Sequence, residues 1–127
     1  MKLRSLAGQP VATCSIVAGE LLYGAELSQA RDQNVDGVKA FLRTIDVFEL
    51  TESTAEEYGA LKAALRNRYG SPGRRQSTET LGFKENDLWI AAVAIEHGLT
   101  VITTDSDFSR IAEVVELKVD RWMPEPA

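Results

Sequence analysis

Apolar and polar positions along this chain switch repeatedly between a strand-like and a helix-like rhythm. Val11-Ala12-Thr13-Cys14 is short, apolar and partly β-branched, which predicts a buried strand. Ser15 is placed to cap the next helix. From Ile16 to about Gln29, the residues Ile16, Val17, Leu21, Tyr23 or Gly24, and Leu27 recur at helical spacing. A second helix is predicted from about Gln33 to Ile45, with Val35, Val38, Leu42 and Ile45 on one face. Val47, Phe48 and Leu50 predict a short strand. Ser53 and Glu56 form a capping-box signature that opens a helix striped by Tyr58, Leu61 and Leu65, with Gly70 and Pro72 ending it. Residues Ser71 to Gly82 read as a long loop, which favours a mobile or functional segment. Glu85 to His97 is a helix that is apolar almost all round, hence buried, and Gly98 is its expected closing residue. Leu99 to Thr103 is a buried strand, Asp107 to Ala112 a short helical turn, and Val114 to Val119 a last strand.

Strands that alternate with helices and are themselves nearly continuously apolar predict an α/β sandwich around a parallel sheet. The 127 residues suit one compact domain, and 44% hydrophobic with 26% charged residues is an ordinary globular composition. No internal repeat or low-complexity tract is present. The 14 basic and 19 acidic residues give a net charge of −5. That balance argues against holding nucleic acid by bulk charge alone, though not against a nuclease that reaches phosphate through bound cations. A single cysteine, Cys14, excludes an intrachain disulfide and fits a reducing, cytoplasmic setting. No apolar run is long enough for a transmembrane helix, and the start of the chain lacks the pattern of a signal peptide, so no membrane association is expected.

The chemistry is carried by carboxylates that break the local pattern. Glu20 has Ile16, Val17, Tyr23 and Gly24 as its helical neighbours, an apolar face expected to look inward. A carboxylate there requires a cation, a metal or a proton. Asp87 sits in the first turn of the most apolar helix, where the helix N-terminus favours an anion. Asp105 directly follows the strand Leu99–Thr103, where open parallel sheets bind ligands, and Asp107 is two residues further on. If these groups converge, their mutual repulsion favours protons or divalent cations. All-oxygen ligation selects Mg²⁺ or Mn²⁺ over zinc, and one His and one Cys offer no rival cluster. Cations held by carboxylates in an open cleft suit phosphodiester hydrolysis. The competing readings are a helix-start residue for Asp87, a turn residue for Asp105, and a Lys or Arg partner for Glu20.

Three segments resemble a known family. Val17-Ala18-Gly19-Glu20-Leu21-Leu22-Tyr23-Gly24-Ala25 resembles the helix bearing the second acidic residue of PIN-domain toxins of the VapC type. Asn86-Asp87-Leu88-Trp89-Ile90-Ala91-Ala92 resembles their third acidic motif, and Leu99 to Phe108, with Thr103-Thr104-Asp105-Ser106-Asp107, the fourth. Order and spacing agree over about residues 11 to 122, and Leu117 to Trp122 resembles the family's last strand. The resemblance implies a three-layer α/β/α sandwich around a mostly parallel sheet, formed by residues 1–127 as a single domain. It implies a Mg²⁺-dependent endoribonuclease, the toxin of a toxin–antitoxin pair, with Glu20, Asp87 and Asp105 as metal-site residues. It also implies a homodimer and a small VapB-like antitoxin that blocks the cleft.

One departure stands out. The family opens with a central strand ending in an Asp-Thr-Asn or Asp-Thr-Asp motif, whereas here no acid precedes Glu20. Met1 to Leu6 resembles the end of the family's first helix, so the domain is expected to be N-terminally incomplete, without that central strand. The chain as written is therefore expected to have severely reduced or no nuclease activity, which restoring a strand with its Asp should recover. The alternative is a catalytically inactive PIN-like module that binds an antitoxin or RNA. Arg74 and Arg75 in the loop, with Lys84 beyond it, are candidates for contacting RNA phosphates at the cleft rim, and a solvated loop is the competing reading. Tyr23, Leu22 and Leu27 are candidates for a dimer face or for core packing. Trp89 and Trp122 are expected in a core or interface, His97 against the last helical carbonyls, and Cys14 buried and inert.

Overall fold

The computed structural model describes residues 12–71, 73 and 76–121, in two compact units that meet in sequence between Leu50 and Thr51. The expectations placed on Val11, Pro72, Arg74, Arg75, Trp122 and residues 1–6 lie outside the described residues.

In the first unit, β1 (Ala12–Cys14) leads without a break into α1 (Ser15–Glu26), followed by α2 (Arg31–Leu42) and β2 (Asp46–Phe48). β1 and β2 pair in parallel, with Ala12 opposite Asp46, Thr13 opposite Val47 and Cys14 opposite Phe48. Two parallel strands cannot be joined by a tight turn, and here the α1–α2 pair makes the crossover. Cys14 is buried, and so is Val35 of α2. Ser15 does not act as the cap. It is the first helical residue, and its hydroxyl donates across to the Phe48 carbonyl (3.4 Å), tying α1 to β2. Arg31 bonds Glu26 and Asp32, and Asn34 donates to the Ser28 hydroxyl (2.8 Å), which together hold the turn between the helices. Tyr23 of α1 and Leu27, the C-cap residue that follows it, are 67% and 70% exposed, so neither packs in the core of the first unit.

The second unit contains α3 (Glu52–Tyr69), α4 (Glu85–His97), β3 (Thr100–Thr103), α5 (Asp107–Ala112) and β4 (Lys118–Arg121). β3 and β4 are parallel, from Thr100 opposite Lys118 to Thr103 opposite Arg121. The expected α/β architecture with parallel strands is therefore present, its ladders forming two separate two-stranded sheets. Leu61 and Leu65 of α3, Leu88, Ala91 and Ala94 of α4, Val101 of β3, and Phe108 and Ile111 of α5 build the core, joined by Phe83. As its composition predicts, α4 is buried on several sides, at Leu88 and from Ala91 through Ala94. Trp89 lies flat on Tyr58 of α3, ring centroids 3.9 Å apart, so it serves helix packing. Gly98 closes α4 in the left-handed region (φ +65°), and Leu99 N–H donates back to the Ala94 carbonyl.

Several boundaries differ from expectation: α1 ends at Glu26 and not near Gln29, α2 spans Arg31–Leu42 and not Gln33 to Ile45, and β2 stops at Phe48, before Leu50. The capping box of α3 uses Thr51 and Thr54, not Ser53 and Glu56. Thr54 N–H donates to the Thr51 hydroxyl oxygen while Thr51 N–H donates to that of Thr54. Glu96 of α4 accepts from both hydroxyls, so a tertiary partner decides which threonine caps. Val114 and Val115 do not start the last strand, because their N–H groups are used by the Ile111 carbonyl to close α5. The loop before α4 is tighter than its length suggests. Leu81, Gly82 and Phe83 donate back to Ser77, Glu79 and Thr78, and Thr78 is buried. Among the described residues, no helix is long and apolar enough to cross a membrane.

A candidate metal centre

The second unit brings three of the predicted acids together. Asp87 is the third residue of α4, and Asp107 is the first residue of α5. Asp105 lies between the end of β3 and α5. One carboxylate oxygen from each of Asp87, Asp105 and Asp107 lies within 4.8 Å of the others. All three residues are half-buried, and Asp87 Oδ2 is closed off from solvent.

Local chemistry sets these positions. Asp105 N–H donates to the Thr103 hydroxyl (3.0 Å), and Asp105 Oδ1 accepts from Asp107 N–H (2.9 Å). The second bond is an Asx-type turn, which bends the chain from strand to helix and presents both carboxylates on one side. Asp87 enters the cluster from the first turn of α4, where the free N–H groups of the helix stabilise negative charge. Behind the site, Leu88 and Phe108 anchor both helices in the core. Two like charges 4 Å apart repel by about 4 kcal/mol at an effective dielectric near 20. Three hard oxygen donors so placed fit a small divalent cation, and neither the lone histidine nor the lone cysteine belongs to the cluster.

The other predicted residues fall elsewhere. Glu20 is on α1, in the first unit, and it is exposed, contrary to the inward-facing expectation. Of its apolar helical neighbours, Ile16 and Val17 are only half-buried and Tyr23 is exposed, so apolar neighbours there do not signify burial. Lys84 is exposed and is the N-cap residue of α4, its carbonyl accepting from Asp87 N–H and Leu88 N–H. His97 Nε2 lies 3.4 Å from the Glu96 carboxylate. A residue missed by pattern reasoning is Arg110, whose guanidinium donates to the Gly82 carbonyl (3.2 Å) beside the start of α4. Its one sequence signal is its place a turn beyond Asp107.

The family model for the PIN domain matches residues 2–114, a span that takes in all of the first unit's described residues and the second unit from Thr51 as far as Val114. The chain belongs to the PIN-domain family. Ribonuclease VapC2 of Haemophilus influenzae is 29% identical over 110 residues, which cover 86% of this PIN chain and 73% of that protein. Among solved structures, VapBC2 from Rickettsia felis bound to a DNA fragment from its promoter superposes with a TM-score of 0.71 at 28% identity, covering 94% of this chain and 81% of that one. VapBC-5 from Mycobacterium tuberculosis, a member of the VapBC family of toxin-antitoxin systems, superposes with a TM-score of 0.67 at 27% identity, covering 96% and 91%.

Proposed function

We propose that this PIN-domain protein is the toxin of a VapBC-type toxin–antitoxin pair, an endoribonuclease that cleaves RNA phosphodiester bonds with the help of Mg²⁺ or Mn²⁺. The observation that carries the reading is the convergence of Asp87, Asp105 and Asp107 oxygens within 4.8 Å. The similar ribonuclease and the similar toxin–antitoxin structure support the substrate class and an antitoxin partner.

In this reading Asp87, Asp105 and Asp107 hold the cation. When bound, the cation lowers the pKa of a water and neutralises charge on the leaving oxygen. The protein supplies geometry. The Asp105–Asp107 turn orients two carboxylates, and the α4 N-terminus stabilises the third. Lys84, together with Arg74 and Arg75, contacts RNA phosphates and positions the strand without reading its bases. The exposed Tyr23 of α1 and Leu27 at its C-terminal cap support a face that meets protein, and we assign to it a second copy of the chain.

The test is cleavage of a structured RNA, such as transfer RNA, by the protein, where detectable turnover also decides against the loss of activity expected from the absence of an acid before Glu20. Cleavage is expected to require Mg²⁺ or Mn²⁺, to stop with a chelator, and to fall by two orders of magnitude or more, on the order of the several kcal/mol that such a charge clamp supplies, in Asp87→Asn with an intact thermal melt. Undiminished cleavage by that variant removes Asp87 from the site.

A further inference from the structure

Asp87 and the Asp105–Asp107 pair belong to different helices, so something must hold α4 and α5 at the spacing a cation needs. Arg110 is placed to do so. It lies on α5, one turn beyond Asp107. Its guanidinium donates from Nη1 to the carbonyl of Gly82 at 3.2 Å. The same group lies over the ring of Phe83, 4.4 Å from the centroid, and near the ring of Tyr69, at 5.4 Å. Gly82 and Phe83 are the residues from which the chain passes through Lys84 into α4, and Phe83 is buried in the core. Gly82 itself has φ +88°, and a Cβ there would sit 3.3 Å from Arg110 Nη1. A glycine therefore permits both the backbone turn and the close approach of the guanidinium.

We infer that Arg110 is a positioning residue for the acidic cluster, tying the backbone ahead of α4 to α5 and so setting the spacing between Asp87 and the Asp105–Asp107 pair. The inference rests on the cation-site reading above. A planar guanidinium can stack on one ring and donate to a carbonyl in the same pose, which an ammonium group cannot do. The expected effect has a sign that distinguishes it from simple electrostatics. Removing a positive charge near an anionic cluster strengthens cation binding through space, whereas loosening the cluster weakens it.

The experiment is Mn²⁺ titration of the full-length protein followed by electron paramagnetic resonance, with metal-free thermal melts alongside. Wild type is expected to bind Mn²⁺, and Asp87→Asn to lose that binding. Arg110→Met is expected to bind roughly tenfold more weakly, at the low end of losses seen when groups supporting metal ligands are removed. Arg110→Lys, which keeps the charge, is expected to be weakened in the same direction, and it is the deciding variant if Arg110→Met does not fold. Mn²⁺ affinity in Arg110→Met or Arg110→Lys equal to or tighter than wild type, even with a lowered melt, overturns the positioning role and leaves the cation site standing. Absence of Mn²⁺ binding by wild type overturns the site itself and the role of Arg110 with it.

Discussion

Asp87 places one oxygen out of reach of solvent while its helix N-terminus and two neighbouring carboxylates pull its charge in opposite directions. The helix end stabilises the anion, whereas two like charges with oxygens within 4.8 Å oppose it. A cation bound there relieves that repulsion and stabilises the folded protein. At a Mn²⁺ concentration about 100 times its dissociation constant, the gain is about 2.7 kcal/mol. Thermal melts with and without Mn²⁺ are expected to show that increment in wild type and to lose it in Asp87→Asn. Without metal, Asp87→Asn is expected to melt at the same temperature or higher, because one of three like charges is gone. A wild-type melt indifferent to Mn²⁺ contradicts this.

Among the elements, α3 and α4 form the frame from which the site projects. Their packing is apolar along Leu61, Leu65, Leu88 and Ala91, and polar at one end, where Thr54 is fully buried and donates to Glu96. That hydroxyl serves both the cap of α3 and the carboxylate of α4. Thr54→Val keeps the shape and leaves Thr51 as the cap, but it removes the acceptor for Thr51 N–H and one of the hydroxyl donors to Glu96. The expected loss is about 2 kcal/mol in urea denaturation, from the broken half of the capping box and the lost buried bond together. Glu56→Ala, at the position that the sequence pattern favours for the box, is expected to change stability by less than about 0.5 kcal/mol, as an exposed surface substitution. Equal losses in the two variants contradict the Thr51–Thr54 assignment.

For the whole molecule, net charge and exposed apolar surface point to how it meets partners. A chain of charge −5 gains nothing from bulk attraction to RNA, so cation-mediated contact and a few placed basic residues must supply it. Tyr23 of α1 and the C-cap residue Leu27 lie four residues apart, and Leu27 N–H donates to the Tyr23 carbonyl, so they share one face; both are largely exposed. Joint replacement by Ser is expected to shift the mass measured by light scattering from dimer toward monomer while leaving the melt of the monomer unchanged. An unaltered mass excludes this face from self-association.

Much of this was legible in the chain because it depends on local physics. The buried α4 follows from an apolar run too long for a strand, its end from Gly98, and the strand-to-helix turn from Asp105 and Asp107. The family follows from the acidic motifs and their order. Features that depend on partners distant in sequence were not legible. The choice of Thr51 over Ser53 as cap was settled by Glu96, and the last strand began late because Ile111 had taken the N–H groups of Val114 and Val115. Glu20 shows the same limit, since an apolar helical neighbourhood says which face is greasy but not whether anything covers it. Sequence alone determined which residue types stood ready to hold a cation, because periodicity and strand ends place them. Only tertiary structure decided that Asp87 reaches Asp105 and Asp107 and that Arg110 grips the backbone before α4, because both require segments brought together by a shared core.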